Sequence, residues 1–371
     1  MENSKPLGSV GLDTQPSAPA APPTEPSRPF SIYETFLTDE GILPQFPPED
    51  RSIQERTPNG TNSPIISLPT IDDDCAREAL IQFATEKCCY GVTPAKNLVL
   101  MEIKPYATFK YRLETFTEDR GVKWVREPFH GQDVDGPERG PAPSAWEIAV
   151  DGPPLFVDRI IHVPVPHTAY VKVCSTCSGL CTVTCYMCSG LGWRTCISCA
   201  GTGRQMDNTF CYSCSGMGRS RCFTCFGRGR ITCSDCAGNG KQMHYVMLTV
   251  TWKNNITEYI QDRQTGFPLK KFSKVNGDNI FCDQSVMVYP IMGFPEEDIC
   301  EASRVTTQKH LEMFASTRRI HQQRQTIELV PLYHVIYDWK GKQHSYYIYG
   351  TEKKVYAPGY PARCCWLCSI L

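Results

Sequence analysis

The chain has 371 residues, 38 Lys and Arg against 39 Asp and Glu for a net charge of −1, and 21 cysteines. The length supports two or three domains around a sizeable core, and the balanced charge excludes a global field drawing the chain to nucleic acid or anionic lipid. No apolar run approaches the roughly 18 residues of a transmembrane helix, and the opening residues lack the basic and apolar regions of a secretory signal. A cytoplasmic setting is therefore expected, with the nucleus also open. In such a reducing compartment clustered thiols mean metal rather than disulfides.

Residues 1–29 are rich in Pro, Ser and Ala with few large apolar side chains, a composition expected to be disordered. Residues 30–70 mix isolated anchors such as Phe30, Tyr33 and Phe36 with prolines, as an extended arm or a linker would. Residues 71–168 open on a helix: Asp72–Asp74 offer an N-cap, Leu80, Ile81, Phe83 and Ala84 follow at helical spacing, and Gly91 ends the run. Strands are expected at 97–104, at 108–117 through Phe109, Tyr111, Leu113 and Phe116, at 122–126 after a turn at 118–121, and at 145–150 and 158–165. Beyond the cysteine-rich stretch of 169–243, residues 244–357 alternate from His244 to Trp252, form a helix over 303–319, and close with a hairpin turning at Lys340-Gly341-Lys342. The fold class is a β-rich α+β flanking region with an inserted hairpin arm. One domain built from both flanks and two separate flanking domains fit the sequence equally. Residues 358–371 form a separate tail.

Six Cys-x-x-Cys pairs organise this sequence: Cys174/Cys177, Cys185/Cys188, Cys196/Cys199, Cys211/Cys214, Cys222/Cys225 and Cys233/Cys236. The last five continue into x-Gly-x-Gly (Gly190 and Gly192, Gly201 and Gly203, Gly216 and Gly218, Gly227 and Gly229, Gly238 and Gly240); the first has Gly179 and then Cys181 where a second glycine is expected. Pair starts are 11, 11, 15, 11 and 11 residues apart, a series that reads the same in both directions. Zinc in structural sites takes four thiolates in a tetrahedron, two from each Cys-x-x-Cys turn. Twelve cysteines therefore make three closed zinc sites. The mirror symmetry favours nested pairing of first with sixth, second with fifth and third with fourth over sequential pairing. Glycines let a tight knuckle take positive φ and bring backbone N–H groups to sulfur. Exposed apolar residues are expected on so thin an arm: Tyr186, Met187, Leu191, Trp193, Phe210, Met217, Phe223 and Phe226.

The five intact units resemble the cysteine-rich zinc domain of DnaJ-type co-chaperones, in which four units bind two zinc ions on a β-hairpin arm. The resemblance implies zinc binding and a protein-interaction role. It departs in having six units, in Cys181, and in lacking the His-Pro-Asp tripeptide of a J domain, so stimulation of a chaperone ATPase does not carry over. The array between β-rich flanks, with Tyr337-Asp338-Trp339-Lys340-Gly341-Lys342 and Tyr349-Gly350-Thr351-Glu352, further resembles the Ssu-two homolog family of animals.

These features predict a non-enzymatic zinc protein whose arm binds polypeptide clients or partners, in a chaperone-like or adaptor role. No phosphate-binding glycine loop, nucleophile elbow or His-Glu-x-x-His occurs in the sequence. A zinc-dependent thiol–disulfide oxidoreductase or isomerase is the alternative from chemistry. An RNA-binding or regulatory zinc protein is the alternative from charge. From Lys172 to Lys241 there are eight Lys/Arg and two Asp; three four-thiolate zinc sites cancel that excess, which disfavours nucleic acid. In the tail, Cys368 stands fourth from the end before a terminal Leu371, as in a prenylation box, with Cys364 and Cys365 available for acylation. Membrane attachment would follow if that box is modified.

Overall fold

The computed structural model describes residues 43–45, 47 and 70–362. The expectations placed on residues 1–29, on most of 30–70 and on Cys364, Cys365 and Cys368 lie outside them. Strand β1 (Leu43–Gln45) lies antiparallel along the sheet edge, and Trp146 Nε1 donates to the Gln45 carbonyl, so this part of the proline-rich segment is an arm on the sheet. Helix α1 (Asp73–Glu86) starts as its sequence dictates: Asp72 accepts from the Cys75 N–H at 2.9 Å, and Ala76, Leu80 and Ala84 form its buried stripe. A short helix α2 (Thr93–Lys96) follows.

Strand β2 (Val99–Pro128) is one continuous element, where the sequence predicts three strands and a turn. Arg120 Nε donates to Glu118, and its Nη1 to the carbonyls of Ala145 and Ile148. Gly121 pairs with Pro44 on one side and Thr249 on the other. Long-range pairing on both edges overrides the local turn preference of Glu118–Gly121. Pro105 is tolerated because, among the described residues, β2 gains a partner on its second edge only from Lys110. Residues 145–150, predicted as a strand, instead form turns around the Arg120 guanidinium.

Strands β3 (Arg159–Pro164) and β4 (Tyr170–Val173) both line the outer edge of β9 (Lys241–Ile260). Within the array lie the short strands β5 (Thr182–Thr184), β6 (Trp193–Thr195), β7 (Arg219–Arg221) and β8 (Arg230–Thr232). After β9 come β10 (Asp278–Ser285), α3 (Glu297–Phe314), β11 (Arg319–Trp339), β12 (Lys342–Tyr349) and β13 (Lys354–Tyr356). Helix α3 begins and ends about a turn and a half before the span expected from sequence, and Arg319 opens β11 instead. The main antiparallel sheet runs β13-β12-β11-β2-β9-β3, with β1 on β2, β10 on β11 and β4 on β9. Strands from both sides of the cysteine array thus share one curled sheet. Pro331 falls in β11 where β10 has stopped pairing at Leu329 and β12 starts at Leu332, a gap in which a missing N–H costs no ladder bond.

Alternation along β11 and β2 divides the core. Tyr333, Val335 and Tyr337 meet α1, and Ile327 and Leu329 with Phe109, Tyr111 and Leu113 meet Ile299 of α3, so both helices cover one face. On the other face, Val330 and Leu332 lie under Phe267 and Phe272, and Phe116 and Val122 join Val246, Leu248, Val250 and Trp252. Phe116 breaks the odd-numbered run of its neighbours because it serves this second face. Between these two clusters Lys110 pairs with Glu328 at 2.7 Å and Arg324 with Glu114 at 2.6 Å. No helix among the described residues is long and apolar enough to cross a membrane.

Candidate metal centres

The array projects from the sheet through β4 and β9, which pair from Tyr170/His244 to Val173/Lys241. His130 and Asn239 side chains bond across the junction at 2.8 Å, and Gln242 Nε2 donates to the Asp235 carbonyl. The arm is a folded-back hairpin. Strand β5 pairs with β8 and β6 with β7, and its tip turns between Gly203 and Cys211, where Cys211 N–H donates to Gly203 O at 3.0 Å.

Its twelve paired cysteines converge in three buried groups: Cys174, Cys177, Cys233 and Cys236 at the base, Cys185, Cys188, Cys222 and Cys225 in the middle, and Cys196, Cys199, Cys211 and Cys214 at the tip. This is the nested pairing. Sulfurs from facing units lie 3.6–3.8 Å apart, and all four in a group within 4.8 Å. A tetrahedron with metal–sulfur bonds of about 2.3 Å has edges of about 3.8 Å, so the donor set fits a thiophilic metal ion at each centre.

The backbone shows why the spacing is fixed. Facing units exchange reciprocal hydrogen bonds: Cys174 N to Gly240 O and Cys233 N to Cys181 O at the base, Cys185 N to Gly229 O and Cys222 N to Gly192 O in the middle, Cys196 N to Gly218 O and Cys211 N to Gly203 O at the tip. The second glycine of each intact unit also donates its N–H to the second sulfur of its own pair, as Gly192 does to Cys188 at 3.2 Å and Gly240 to Cys236 at 3.3 Å. Such donors favour thiolate. Burial raises Cys199, yet the N–H groups of Gly203 and Gly201 bring it down to about 6. Burial, with neighbouring sulfurs adding to it, pushes Cys177 and Cys214 up to about 11. Four thiols this close ionise together only around a cation.

Every array glycine has positive φ. The second glycines carry the tighter constraint: a Cβ at Gly203, Gly218 or Gly229 would lie 2.2–2.3 Å from the facing first glycine's carbonyl oxygen. In the first unit Cys181 takes this place at φ 64, its backbone N–H lowering Cys177 and its carbonyl accepting from Cys233. The equivalent contact from Gly240 to Gly179 O is 2.7 Å, looser than in the other sites.

Sequence reasoning missed one set of residues. The position after each second cysteine is left-handed without glycine: Ser178, Ser189, Ala200, Ser215, Phe226 and Ala237, all at φ 47–49. Five are small; Phe226 is bulky, and 66% of it is exposed. Every apolar side chain expected on the arm surface is exposed, and Leu180, Ile197, Met206 and Tyr212 add to them. Between the base and middle sites only Val183 and Ile231 pack inward.

Sheet and centres together define a β-sheet protein that carries a cysteine-rich metal-binding arm between its strands. No protein-family model matches the chain, and no solved structure matches it at a significant level. Curated relatives do: a human "Protein SSUH2 homolog" is 48% identical over 82% of this chain and 81% of its own length, and a zebrafish (Danio rerio) protein of the same name is 40% identical over 96% of this chain and 99% of its own. A mouse protein so named is 47% identical over 69% of this chain and 76% of its own. The chain belongs to the SSUH2 homolog family.

Proposed function

We propose that the three centres hold zinc and that the distal half of the arm is a binding surface for other polypeptides, in a chaperone-like or adaptor role without catalysis of its own. Zinc fits because four thiolates in a tetrahedron are its preferred structural set. In each site it would be held by the four cysteines of one group. Closed sites of this kind supply folding energy of about 10–16 kcal/mol, and an arm whose inward apolar packing is Val183 and Ile231 needs such a source.

The observation that carries the interaction role is a gradient of exposed apolar side chains along the arm. The first residue inside each Cys-x-x-Cys is Ser175 and Ser234 at the base, Tyr186 and Phe223 in the middle, and Ile197 and Tyr212 at the tip. All four apolar ones are 66–89% exposed. Phe226 adds a strained aromatic that is mostly exposed, with little burial to offset its left-handed backbone. Polypeptide segments rich in apolar residues are the partners such a surface fits. The likeness to the DnaJ-type zinc arm points the same way.

The test measures suppression of aggregation of a thermally unfolded client by the zinc-loaded chain and by a Tyr186→Ser/Ile197→Ser/Tyr212→Ser/Phe223→Ser variant. Three zinc ions per chain should be retained in both, with client protection lost in the variant. Equal protection by the two would sink the surface assignment. Disulfide reduction by the zinc-loaded chain would favour the oxidoreductase instead.

A further inference from the structure

A cavity of about 640 Å³ lies away from the arm, where α1 begins and the turn between β12 and β13 ends. Cys75, Lys353, Tyr333, Asp72, Asp278 and Thr351 line it. Lys353 Nζ donates to Cys75 Sγ at 2.9 Å, joining groups 278 positions apart in the chain. The turn that presents Lys353 is fixed from several sides. Gly350 N donates to Pro331 O, Thr351 N to Asn276 O, and Asn276 N and Nδ2 donate to the Glu352 carboxylate. Lys353 itself sits at φ 51, a left-handed conformation that a side chain adopts at a cost and that the surrounding bonds must hold.

We propose that Cys75 is a peroxide-responsive thiol and Lys353 its resolving amine, so that oxidation ties the first turn of α1 to the start of β13. The chemistry closes with one peroxide as the named oxidant. The Cys75 thiolate attacks a peroxide oxygen: an S–O bond forms, the O–O bond breaks, and the released oxyanion takes a proton from the Lys353 ammonium and leaves as water or alcohol, sulfur being oxidised by two electrons and Nζ left neutral. Neutral Nζ then attacks the sulfenic sulfur: an S–N bond forms, the S–O bond breaks, and hydroxide leaves as water with a proton from nitrogen. The sulfenamide product is of a kind that thiols reverse.

Three features favour this pair. The Cys75 sulfur holds the Lys353 amine above its usual range, so nitrogen carries the proton that the departing peroxide oxygen takes. The Asp72 and Asp278 carboxylates line the same space, and Lys353 is the group in direct contact with the sulfur. Nitrogen and sulfur already stand within attacking distance. Among the described residues lining the cavity Cys75 is the lone cysteine, which leaves the amine, rather than a second thiol, to trap the sulfenic acid.

The experiment treats the zinc-loaded full chain with a small excess of hydrogen peroxide and maps its peptides without reductant. A Cys75–Lys353 cross-linked peptide, two hydrogens lighter than its parts and released by dithiothreitol, is expected, and it should be absent from Cys75→Ser and Lys353→Arg. In Lys353→Arg, melting as the native chain does before oxidation, Cys75 should be recovered as a dimedone-trapped sulfenic acid. Oxidation of Cys75 no faster than that of the exposed Cys88 and Cys282, or oxidised Cys75 without any link to Lys353 in the native chain, would overturn the proposal.

Discussion

Single backbone positions decide whether the arm can form. At Gly203 a methyl group would sit 2.3 Å from the Gly216 oxygen, whereas at Gly201 it meets the Thr195 methyl at 3.0 Å and the Gly218 oxygen at an ordinary 3.9 Å. Both positions have positive φ, which costs an L-residue about 1–2 kcal/mol; only the first adds a collision with backbone. Gly203→Ala should therefore lose the tip metal, leaving two per chain by elemental analysis, while Gly201→Ala keeps three and loses about 1 kcal/mol of arm stability. Phe226 gives the opposite experiment. Phe226→Gly removes left-handed strain at an exposed site and should stabilise the arm by about 0.5 kcal/mol. If Phe226 serves the client surface, its loss weakens client binding even as the melting temperature rises. Equal binding by the two chains would show Phe226 to be a structural accident.

Elements carry two further consequences. The arm is three sites in a row, each closed by one pair of facing knuckles, and so resembles a short repeat array in which each unit leans on its neighbour. Removing the tip site with Cys196→Ser and Cys211→Ser should cost one metal and leave the base and middle sites loaded. Loss of all three metals would show that the hairpin closes from its tip. Helix α3 presents His310 to the sheet, 1% exposed, between Thr115 and Thr257 at 2.8 Å each. Gln323 also donates to Thr115 Oγ1. Burial, with Lys309 adding to it, lowers His310 from 6.5 to about 4. The unfolded chain thus binds a proton between those values that the folded chain does not. The contribution of neutral His310 is complete above pH 6.5 and is lost as pH falls towards 4, about 3 kcal/mol in all. Chemical denaturation across that range should show the slope, and His310→Gln should flatten it.

At the scale of the whole molecule, arm and sheet have different sources of stability. The sheet holds four apolar clusters, from the α1 contact to Trp252; the arm holds sulfur, Val183 and Ile231. Chelation should strip hydrogen-exchange protection from residues 174–240 and leave β2, β9 and β11 protected; global unfolding on chelation would show the two to be one cooperative unit. Acid acts on the sheet. Burial would raise Glu118, but hydrogen bonds from His321 and Arg120 leave it below the ordinary carboxylate value, and bonds from Asn254 and Arg324 do the same for Glu114. Their stabilisation is present above that value of 4.5 and lost as pH falls below it, a second acid step beneath that of His310.

What the sequence determined alone is what local chemistry can specify. Two thiols at fixed spacing, glycines where a backbone must turn left-handed, and a palindromic series of gaps settle the three cysteine groups and their nesting, because each knuckle is built within eight residues. The α1 cap at Asp72, the buried face of His244–Trp252 and the turn at Lys340-Gly341 were legible for the same reason. Only the tertiary structure decided the rest. Glu118–Gly121 reads as a turn until β9 and β1 pair along both its edges, and 145–150 reads as a strand until Arg120 takes its carbonyls. Whether Phe116 serves the face of Tyr111 or the opposite one depends on which segment covers each. The meeting of Cys75 with Lys353 has no trace in either local sequence, since it arises from a sheet that brings the two ends of the described chain together.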